Sequence, residues 1–278
     1  MKIIITHLNP DPDAIAAAWL LKRFDPQLSD AEVEFVPAGE TYQKQKVDSD
    51  ANIIHVDTGF GRFDHHDTNE RTCAAKKVLD DLQSRLVHLE EDKALPRLVE
   101  IIMQDDHFED CYWPEANNDR YAFFMTAILD GLKKGGKAND QQLIEFGFRC
   151  LDGIYTTLKL RIEAEAEIQD KGKEFETKWG KALAIESKND EVMKVAQKSG
   201  FVLVLRKDPD GMVRIKAQPN SKVNLTLTYQ SLKKMDPEAT WFLHASKKML
   251  LNGSYSNPEM VPSQLSLIDV MEIIKDSR

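Results

Sequence analysis

The chain has 278 residues, of which 42% are hydrophobic and 30% are charged, and its formal net charge is −9. This composition is typical of a globular protein large enough for two domains, and the acidic excess argues against coating of long DNA or RNA through bulk positive charge. The three cysteines form no CxxC pair, and the apolar runs of residues 1–7 and 14–21 are too short for a signal peptide or a membrane span. We therefore expect a cytoplasmic protein with reduced thiols and no membrane contact.

Strands alternate with helices in the first part of the chain. The run "KIIIT" predicts a buried strand, and the loop "HLNPDPD" leads from it to an alanine-rich helix that Asp13 is expected to cap. Further strands are predicted at residues 33–37 and 52–57, followed by helices at about residues 73–89 and 93–104. This alternation favours a parallel sheet with helices on both faces.

The rest of the chain predicts a helical connection and a second domain. Residues 119–187 are predicted to be almost wholly helical, with an apolar stripe along residues 144–162. The segment "FVLVLRKDPDGMVRIKAQP" then predicts a hairpin with an Asp-Gly turn, followed by two more strands and a final helix. We predict an α/β protein with a parallel-sheet domain at residues 1–135, a long helical connector at 136–197 and a smaller α+β domain at 198–278.

Charge is distributed unevenly between these parts. Residues 198–278 carry 12 Lys+Arg against 8 Asp+Glu, whereas residues 1–197 carry 25 against 38. An acidic first domain suits cation binding, and a mildly basic second domain suits a ligand that carries phosphate.

Histidines and aspartates are concentrated after the predicted strands of the first domain. If the strands before "HLNPDPDA" and "HVDTGFGRFDHHD" are neighbours, the loops at their carboxyl ends bring seven side chains to one crevice: His7, Asp11, Asp13, Asp57, Asp64, His65 and His66. So many carboxylates would repel one another without a cation. Imidazole and carboxylate ligands without thiolate favour Mn²⁺, with Fe²⁺ or Co²⁺ as alternatives, because Mg²⁺ prefers all-oxygen sites.

Each motif alone has a plainer interpretation. "HLNPD" consists of residues that any turn uses, and "DHHD" is compatible with a solvent-exposed loop. His55, inside a strand, is expected to be packed and hydrogen-bonded rather than functional. The occurrence of both motifs directly after predicted strands is more specific than either one.

These motifs resemble those of the DHH phosphoesterase superfamily, which includes RecJ-type nucleases, oligoribonucleases and family II inorganic pyrophosphatases. The matching segments are "HLNPDPDA", Asp57 in "IIHVDTG", "DHH" at residues 64–66, and "VEIIMQDDHFED", in which Asp105 is the better match and Asp106 stays open. The closest likeness is to the melanocyte-proliferating-gene family of nucleases, whose C-terminal segment resembles "WFLHASKKMLLNGSYSNPEM". One departure is the single glycine of "LLNGSY", where another branch of the superfamily has "GGGH".

The resemblance implies a DHH-type catalytic domain that holds two divalent ions, expected to be Mn²⁺ with Mg²⁺ or Co²⁺ as alternatives. His7, Asp11 and Asp57 would bind one ion, and Asp13, Asp57, His65 and Asp105 would bind the other, with Asp57 bridging. His66 would contact the substrate phosphate, and Asp64 would orient a neighbouring histidine. Asn9 is a further candidate for a phosphate contact, and the first helix is expected to direct its N-terminus at the same anion. The second domain would contribute substrate contacts from four residues: Lys222, His244, Asn252 and Gly253.

The implied activity is hydrolysis of phosphodiester or phosphomonoester bonds in short RNA or small nucleotides by metal-activated water, as in an exonuclease or oligoribonuclease. Two alternatives stay open: an inorganic pyrophosphatase-like enzyme, and a non-catalytic nucleotide-binding protein on the same fold. Four aromatic residues of the second domain could stack on a nucleotide base, which keeps a nucleotide substrate open: Tyr229, Trp241, Phe242 and Tyr255. A homodimer is compatible with the sequence, which does not fix the oligomeric state.

Overall fold

The chain divides into two units, Met1–Lys159 and Leu160–Arg278. The structure is a computed structural model that describes residues 2–253, 257 and 259–277. The division falls within a long helix and differs from the predicted boundaries after residues 135 and 197. None of the helices in these described ranges combines the length and the apolar character needed to cross a membrane.

A three-stranded parallel sheet forms the centre of the first unit. Its strands are β1 (Ile3–His7), β2 (Glu32–Val36) and β3 (Ile53–His55), and they lie in the order β2-β1-β3. Ile3 pairs with Ile53 and Ile5 with His55, so β1 and β3 end at the same edge of the sheet. The predicted parallel sheet is confirmed, and the two strands that carry the motifs are neighbours.

The first helix connects β1 to β2 and contacts β1, and five further helices follow β3 in the described part of this unit. The helices are α1 (Pro12–Phe24), α2 (Ala74–Arg85), α3 (Val87–Glu90), α4 (Ala94–Asp106), α5 (Met125–Lys134) and α6 (Asp140–Lys171), the last continuing into the second unit. Short turns of 3₁₀ helix lie at Tyr42–Lys44, Glu109–Tyr112 and Asp119–Phe123. Helix α1 packs against α2 and α4, and its first ten residues are all buried because small alanine side chains allow close approach.

Two helix boundaries differ from the sequence prediction. Asp11, rather than Asp13, caps α1, because its Oδ1 accepts a hydrogen bond from the N–H of Ala14 and Pro12 occupies the first turn. The predicted helix at residues 73–89 is interrupted at Leu86, whose φ of −125° and ψ of 89° are not helical. Because Asp11 is the cap of α1, the carboxylate of Asp13, which lies in the first turn of this helix, can make a different contact.

The second unit contains a six-stranded sheet in the order β4-β5-β6-β7-β9-β8. Strands β5 and β6 are parallel and the other neighbours are antiparallel. The elements after α6 are β4 (Lys173–Thr177), β5 (Gly180–Glu186), α7 (Glu191–Lys198), β6 (Leu203–Lys207), β7 (Val213–Ala217), α8 (Thr226–Met235), β8 (Trp241–Leu243), β9 (Met249–Asn252) and α9 (Leu267–Asp276). The α/β class, the predicted β6–β7 hairpin and the final helix are therefore confirmed.

The prediction that residues 119–187 are almost wholly helical is wrong for its last part. The helix ends at Lys171, and "KEFETKWGKALAIE" forms the antiparallel pair β4–β5. Phe175 and Ala182 pack in the core of the sheet, whereas charged residues alternate with them towards solvent, which is a strand pattern. Residues 173–198, most of which were assigned to the connector from the sequence, thus belong to the second unit.

Candidate metal centre

The carboxyl ends of β1 and β3 bring the first two motifs together. His7 is the last residue of β1, and Asp57 lies two residues beyond the end of β3. The Nε2 atom of His7 lies 3.3 Å from Oδ2 of Asp57. Asp57 has a left-handed backbone with a φ of +55°, and its N–H donates to the carbonyl of Phe63. This uncommon conformation for an aspartate fixes the direction of the carboxylate.

One group of ligand atoms lies on the β1 side of Asp57. It consists of His7, Asp11 and Asp57, and Nε2 of His7 is 3.7 Å from Oδ2 of Asp11. His7 Nδ1 lies 2.9 Å from the carbonyl oxygen of Leu8, which can only accept, so Nδ1 carries the proton. Nε2 is therefore the ring atom that faces the two carboxylates, and it would offer its lone pair to a cation only after losing its proton.

A second group lies around His65. Nε2 of His65 is 3.4 Å from Oδ1 of Asp57, 3.6 Å from Oδ2 of Asp13 and 3.6 Å from Oδ2 of Asp106. The two oxygens of Asp57 therefore face different groups, Oδ2 towards His7 and Oδ1 towards His65. This is the arrangement expected of a carboxylate that bridges two cations.

Asp13 has a structural role as well as its place beside His65. Its carboxylate is buried, and it accepts hydrogen bonds from the backbone N–H groups of Ala74 at 2.7 Å and Ala75 at 2.8 Å. These are the first two residues of α2, whose N-terminal amides have no partner within the helix. Asp13 thus joins the first turn of α1 to the start of α2.

The end of α4 contributes Asp106 to the ligand cluster. Asp105, the better match from the sequence, accepts a hydrogen bond at Oδ2 from the hydroxyl of Thr126 at 3.1 Å. Asp106 lies beside His65 instead, and His107 is close to it, with its Nε2 donating to the carbonyl of Thr72 at 2.9 Å. His107 was missed from the sequence, although a histidine directly after the aspartate pair at a helix end was the signal available.

The "DHH" segment positions one histidine through its aspartate. Asp64 is buried, and its Oδ1 accepts from Nδ1 of His66 at 2.7 Å and from the N–H of His66 at 3.1 Å. Its Oδ2 accepts from the N–H of Phe60 at 2.7 Å. Because Asp64 holds Nδ1 of the half-exposed His66, Nε2 is the ring atom left to contact a ligand. The role in the chemistry that was expected for Asp64 stays a prediction.

A cavity of about 350 Å³ opens beside these groups. It is lined by His7, Asp11, Ala38, Gly39, Asp57, Phe60, Asp64 and His66. Small-molecule sites in proteins begin at about this volume. The cavity combines acidic and imidazole groups with one exposed aromatic ring, a combination that can accept a ligand with a polar and an apolar part.

The pKa values of the central groups are strongly perturbed by one another. Burial alone would raise the pKa of Asp57, but the facing imidazoles of His65 and His7 outweigh burial and hold the pKa at about 2. The close contact with the carboxylate of Asp57 raises the pKa of His65 to about 9 against the effect of burial. Burial would lower the pKa of His7, but the bond to Asp57 and the charge of Asp11 raise it to about 9.

The pKa values of four neighbouring carboxyl groups are raised, whereas that of Asp57 is lowered. Burial, followed by the charge of Asp57, raises the pKa of Asp11 and of Asp13. Burial also raises the pKa of Asp106, and it raises that of Asp105 to about 6 despite the hydrogen bond from Thr126. Crowded acidic groups of this kind are stabilised in their charged form by a bound cation.

The separations between the possible ligand atoms match those around a bound divalent cation better than those of direct hydrogen bonds. Oδ1 of Asp57 and Nε2 of His65 are buried and face each other at 3.4 Å, and neither has a hydrogen-bond partner in the part of the chain that the structure describes. Donor atoms about 2.1 Å from a shared ion lie roughly 3.0–3.4 Å apart, close to the separations of 3.3–3.7 Å around Asp57. Among the described residues, three groups place ligand atoms within 4.8 Å of one another, and the group of Asp57, His65 and His66 shares Asp57 with the group of His7 and Asp11, and His65 with the group of Asp106 and His107.

His55 is packed rather than functional, as predicted. Its Nε2 accepts a hydrogen bond from the N–H of Tyr42 at 3.0 Å, and burial lowers its pKa. Asn9 is exposed beside the site with a φ of +54°, and its N–H donates to Asp140. The N–H of Ala14 is already bonded to Asp11, so the start of α1 offers less to an anion than the sequence indicated.

The predicted substrate residues of the second unit lie in its connecting segments and at the end of the interior strand β9. Lys222 and His244 are exposed, and the ring of His244 accepts from the N–H of Ser246. Asn252 is buried, and its side chain bonds to three backbone groups. Gly253 has a φ of +88°, and an added Cβ would collide with the sulfur of Met260. Their contact with a substrate stays a prediction.

Two of the aromatic candidates lie in β8, and the remainder lie elsewhere in the second unit. Trp241 is buried, Phe242 is exposed and Tyr229 packs against the core. Tyr255 lies outside the described residues.

The first unit, which carries the site, matches a known protein family. Residues 4–158 match the family described as ChrB, C-terminal domain, and the chain belongs to this family. No curated protein matches the chain.

Several solved structures are similar to the chain at low identity. A DHH domain from a member of a family of ribosomal proteins has 12% identity and a TM-score of 0.33, over 98% of this chain and 85% of that one. RecJ from Thermus thermophilus, in complex with Mg²⁺, has 11% identity and a TM-score of 0.35, over 99% of this chain and 49% of that one. An exopolyphosphatase-related protein from Bacteroides fragilis has 14% identity and a TM-score of 0.25, over 99% and 91%.

These solved structures include a DHH domain and a RecJ. The TM-scores are too low to transfer an activity or a substrate to this chain. What the site can do therefore follows from its own residues, and the narrower likeness to the melanocyte-proliferating-gene family stays a prediction.

Proposed function

We propose that the chain is a divalent-metal phosphohydrolase that hydrolyses phosphodiester or phosphomonoester bonds of short RNA or small nucleotides. The observation that carries the proposal is the position of Asp57, whose two oxygens face two separate groups of ligand atoms. A shared carboxylate between two such groups is typical of two-metal hydrolases that act on phosphate esters.

The residues divide into two ligand sets. His7, Asp11 and Oδ2 of Asp57 would hold one ion, and the second set is Asp13, Oδ1 of Asp57, His65 and Asp106. Asp106 takes the place first given to Asp105, because it is the one beside His65. The mixture of imidazole and carboxylate favours Mn²⁺. Ions bound there would neutralise charge on a phosphoryl group and lower the pKa of a water molecule.

His66 would contact the substrate on the cavity side. Its Nδ1 donates to Asp64, so Nε2 is the ring atom that faces the ligand, and in the protonated imidazolium it would donate a hydrogen bond to a phosphate oxygen or to the leaving group. A donor fixed before the reaction needs no reorganisation when negative charge develops on the phosphate. His66 and Asp64 would therefore stabilise the transition state without holding an ion themselves.

Turnover of bis(p-nitrophenyl) phosphate tests the proposal. The chelated protein should be inactive, Mn²⁺ should restore release of p-nitrophenol, and Asp57→Ala should abolish it. Asp67→Ala is the matched control, because Asp67 is an exposed aspartate of the same motif and should keep full activity. Equal activity of the two variants, or activity that survives removal of metal, would contradict the proposal.

The natural class of substrate follows from a second assay. Wild type and Asp57→Ala are compared on dinucleotides, on adenosine 3′,5′-bisphosphate and on inorganic pyrophosphate. Turnover of nucleotides supports the proposal, and turnover of pyrophosphate alone supports the pyrophosphatase alternative. Tight nucleotide binding without turnover of any compound would identify a binding protein on this fold.

A further inference from the structure

Phe60 has an unusual conformation for a large side chain. Its φ is +55°, a left-handed backbone that is rare for bulky residues, and 57% of the residue is exposed. An exposed aromatic ring on a strained loop has no evident role in the core. Such outliers are concentrated at ligand sites, where the surrounding structure enforces them.

Two contacts hold Phe60 in place. Its N–H donates to Oδ2 of Asp64 at 2.7 Å, and the same carboxylate orients His66. Its ring lies against Gly39, where an added Cβ would be 3.5 Å from Cε2 of Phe60. The ring therefore forms one wall of the 350 Å³ cavity that Asp57 and His66 also line.

The walls of this cavity differ in chemistry. Ala38, Gly39 and the Phe60 ring form an apolar side, whereas the imidazoles and carboxylates of the metal centre form a polar side. An inorganic diphosphate would use only the polar side. A nucleotide has a phosphate for that side and a flat aromatic base for the other, and stacking on an aromatic ring tolerates any base.

We propose that Phe60 is a substrate-recognition residue that stacks on the base of the nucleotide whose phosphate binds at the metal centre. This inference rests on the proposed function and narrows its substrates to compounds with a base next to the reacting phosphate. It also links recognition to chemistry, because Asp64 holds both the stacking residue and the phosphate-contacting histidine.

Calorimetric binding of two ligands to the Mn²⁺-loaded full chain tests the proposal. Adenosine 5′-monophosphate and ribose 5-phosphate share a ribose and a phosphate and differ in the base. Wild type should bind the nucleotide about 10-fold more tightly or better, within the range of a base–aromatic stack. Phe60→Ala should remove this preference while binding ribose 5-phosphate within about twofold of wild type.

Three variants make the result specific. Phe60→Trp should retain the preference, and Phe60→Leu, which keeps apolar bulk without a ring, should lose it as the alanine variant does. Phe123→Ala is the matched control, because Phe123 is 82% exposed and does not line the cavity. Circular dichroism and thermal unfolding establish that each variant is folded.

The outcomes separate this inference from the proposed function. If Phe60→Ala lost affinity equally for both ligands, stacking by Phe60 would be overturned. A preference for the nucleotide that is unchanged in Phe60→Leu would overturn it as well. Turnover of pyrophosphate without a binding preference for the nucleotide would also overturn the stacking role, while the proposal of a metal-dependent phosphohydrolase would stand. A preference that depends on Phe60, without turnover of any phosphate compound, would support the stacking role and refute the enzyme.

Discussion

The substitution Asp64→Asn separates the positioning of His66 from the binding of metal. Asp64 accepts three hydrogen bonds, two from His66 and one from Phe60, and it is not among the grouped ligand atoms of the described residues. Burial would raise its pKa, but the bonds from His66 outweigh burial and lower it, so the residue is an acceptor at neutral pH. An asparagine amide would replace one acceptor oxygen with a donor.

The size of the effect follows from these contacts. A donor facing a buried donor costs about 1–3 kcal/mol, and we expect the free energy of unfolding to fall by about 2 kcal/mol. For a unit of this size the Tm would fall by about 4–8 °C. Because the His66 ring loses its fixed tautomer and direction, kcat should fall about 10- to 100-fold with less change in KM.

The measurement combines thermal unfolding, Mn²⁺ titration and kinetics on bis(p-nitrophenyl) phosphate. The variant should bind Mn²⁺ within about threefold of wild type, because no ligand group loses a member. Loss of Mn²⁺ would show that Asp64 acts on the ions directly. Full turnover would show that the orientation of His66 does not matter, and either result would refute the reasoning.

Three further predictions concern the ligand cluster and the packing of α1. Asp57→Ala should bind fewer Mn²⁺ ions per chain than wild type, as measured by equilibrium dialysis with metal analysis, and equal stoichiometry would contradict a shared ligand. In metal-free protein the raised pKa values of His7 and His65 give a contribution to folding stability that is complete below about pH 6.5 and lost as the pH rises through about 9, whereas Mn²⁺ affinity should increase over this range by about tenfold per pH unit for each imidazole. Thermal unfolding of chelated protein checks the first trend, and Mn²⁺ titrations from about pH 6.5 to about pH 9.5 check the second. Profiles that do not change with pH would contradict both. Gly147→Ala should destabilise the chain by about 1–3 kcal/mol in urea unfolding, because its Cβ would lie 2.5 Å from a buried isoleucine of α1, whereas Gly153→Ala, with open space around it, should be neutral or stabilising.

The sequence was most informative where strand, turn and ligand signals coincide. The β-branched run before His7 and the polar loop after it predict that His7 lies at the end of a strand, and parallel pairing with β3 then places Asp57 beside it. The order of acidic residues and histidines predicted that these side chains meet at one edge of the sheet, and their metal chemistry stays a prediction. Between Asp105 and Asp106 the sequence could not decide, because the choice depends on how α4 is rotated and on the hydroxyl of Thr126.

Other features depend on contacts that a single sequence does not reveal. The charged run before residue 173 predicts a helix, and only pairing with the neighbouring strands makes β4 and β5 favourable. Phenylalanine is not a residue type that marks a left-handed backbone, so the conformation of Phe60 has no signature in the sequence. It results from Asp64, four residues later, which accepts its N–H.

The two backbone bonds of Asp13 have a consequence for engineering. Because this carboxylate is both a neighbour of His65 and the anchor for the amides of Ala74 and Ala75, metal preference and helix docking cannot be redesigned independently at this position. A designer who wants a different ion should vary Asp106 or Asp11, whose side chains are more accessible, and leave Asp13 untouched.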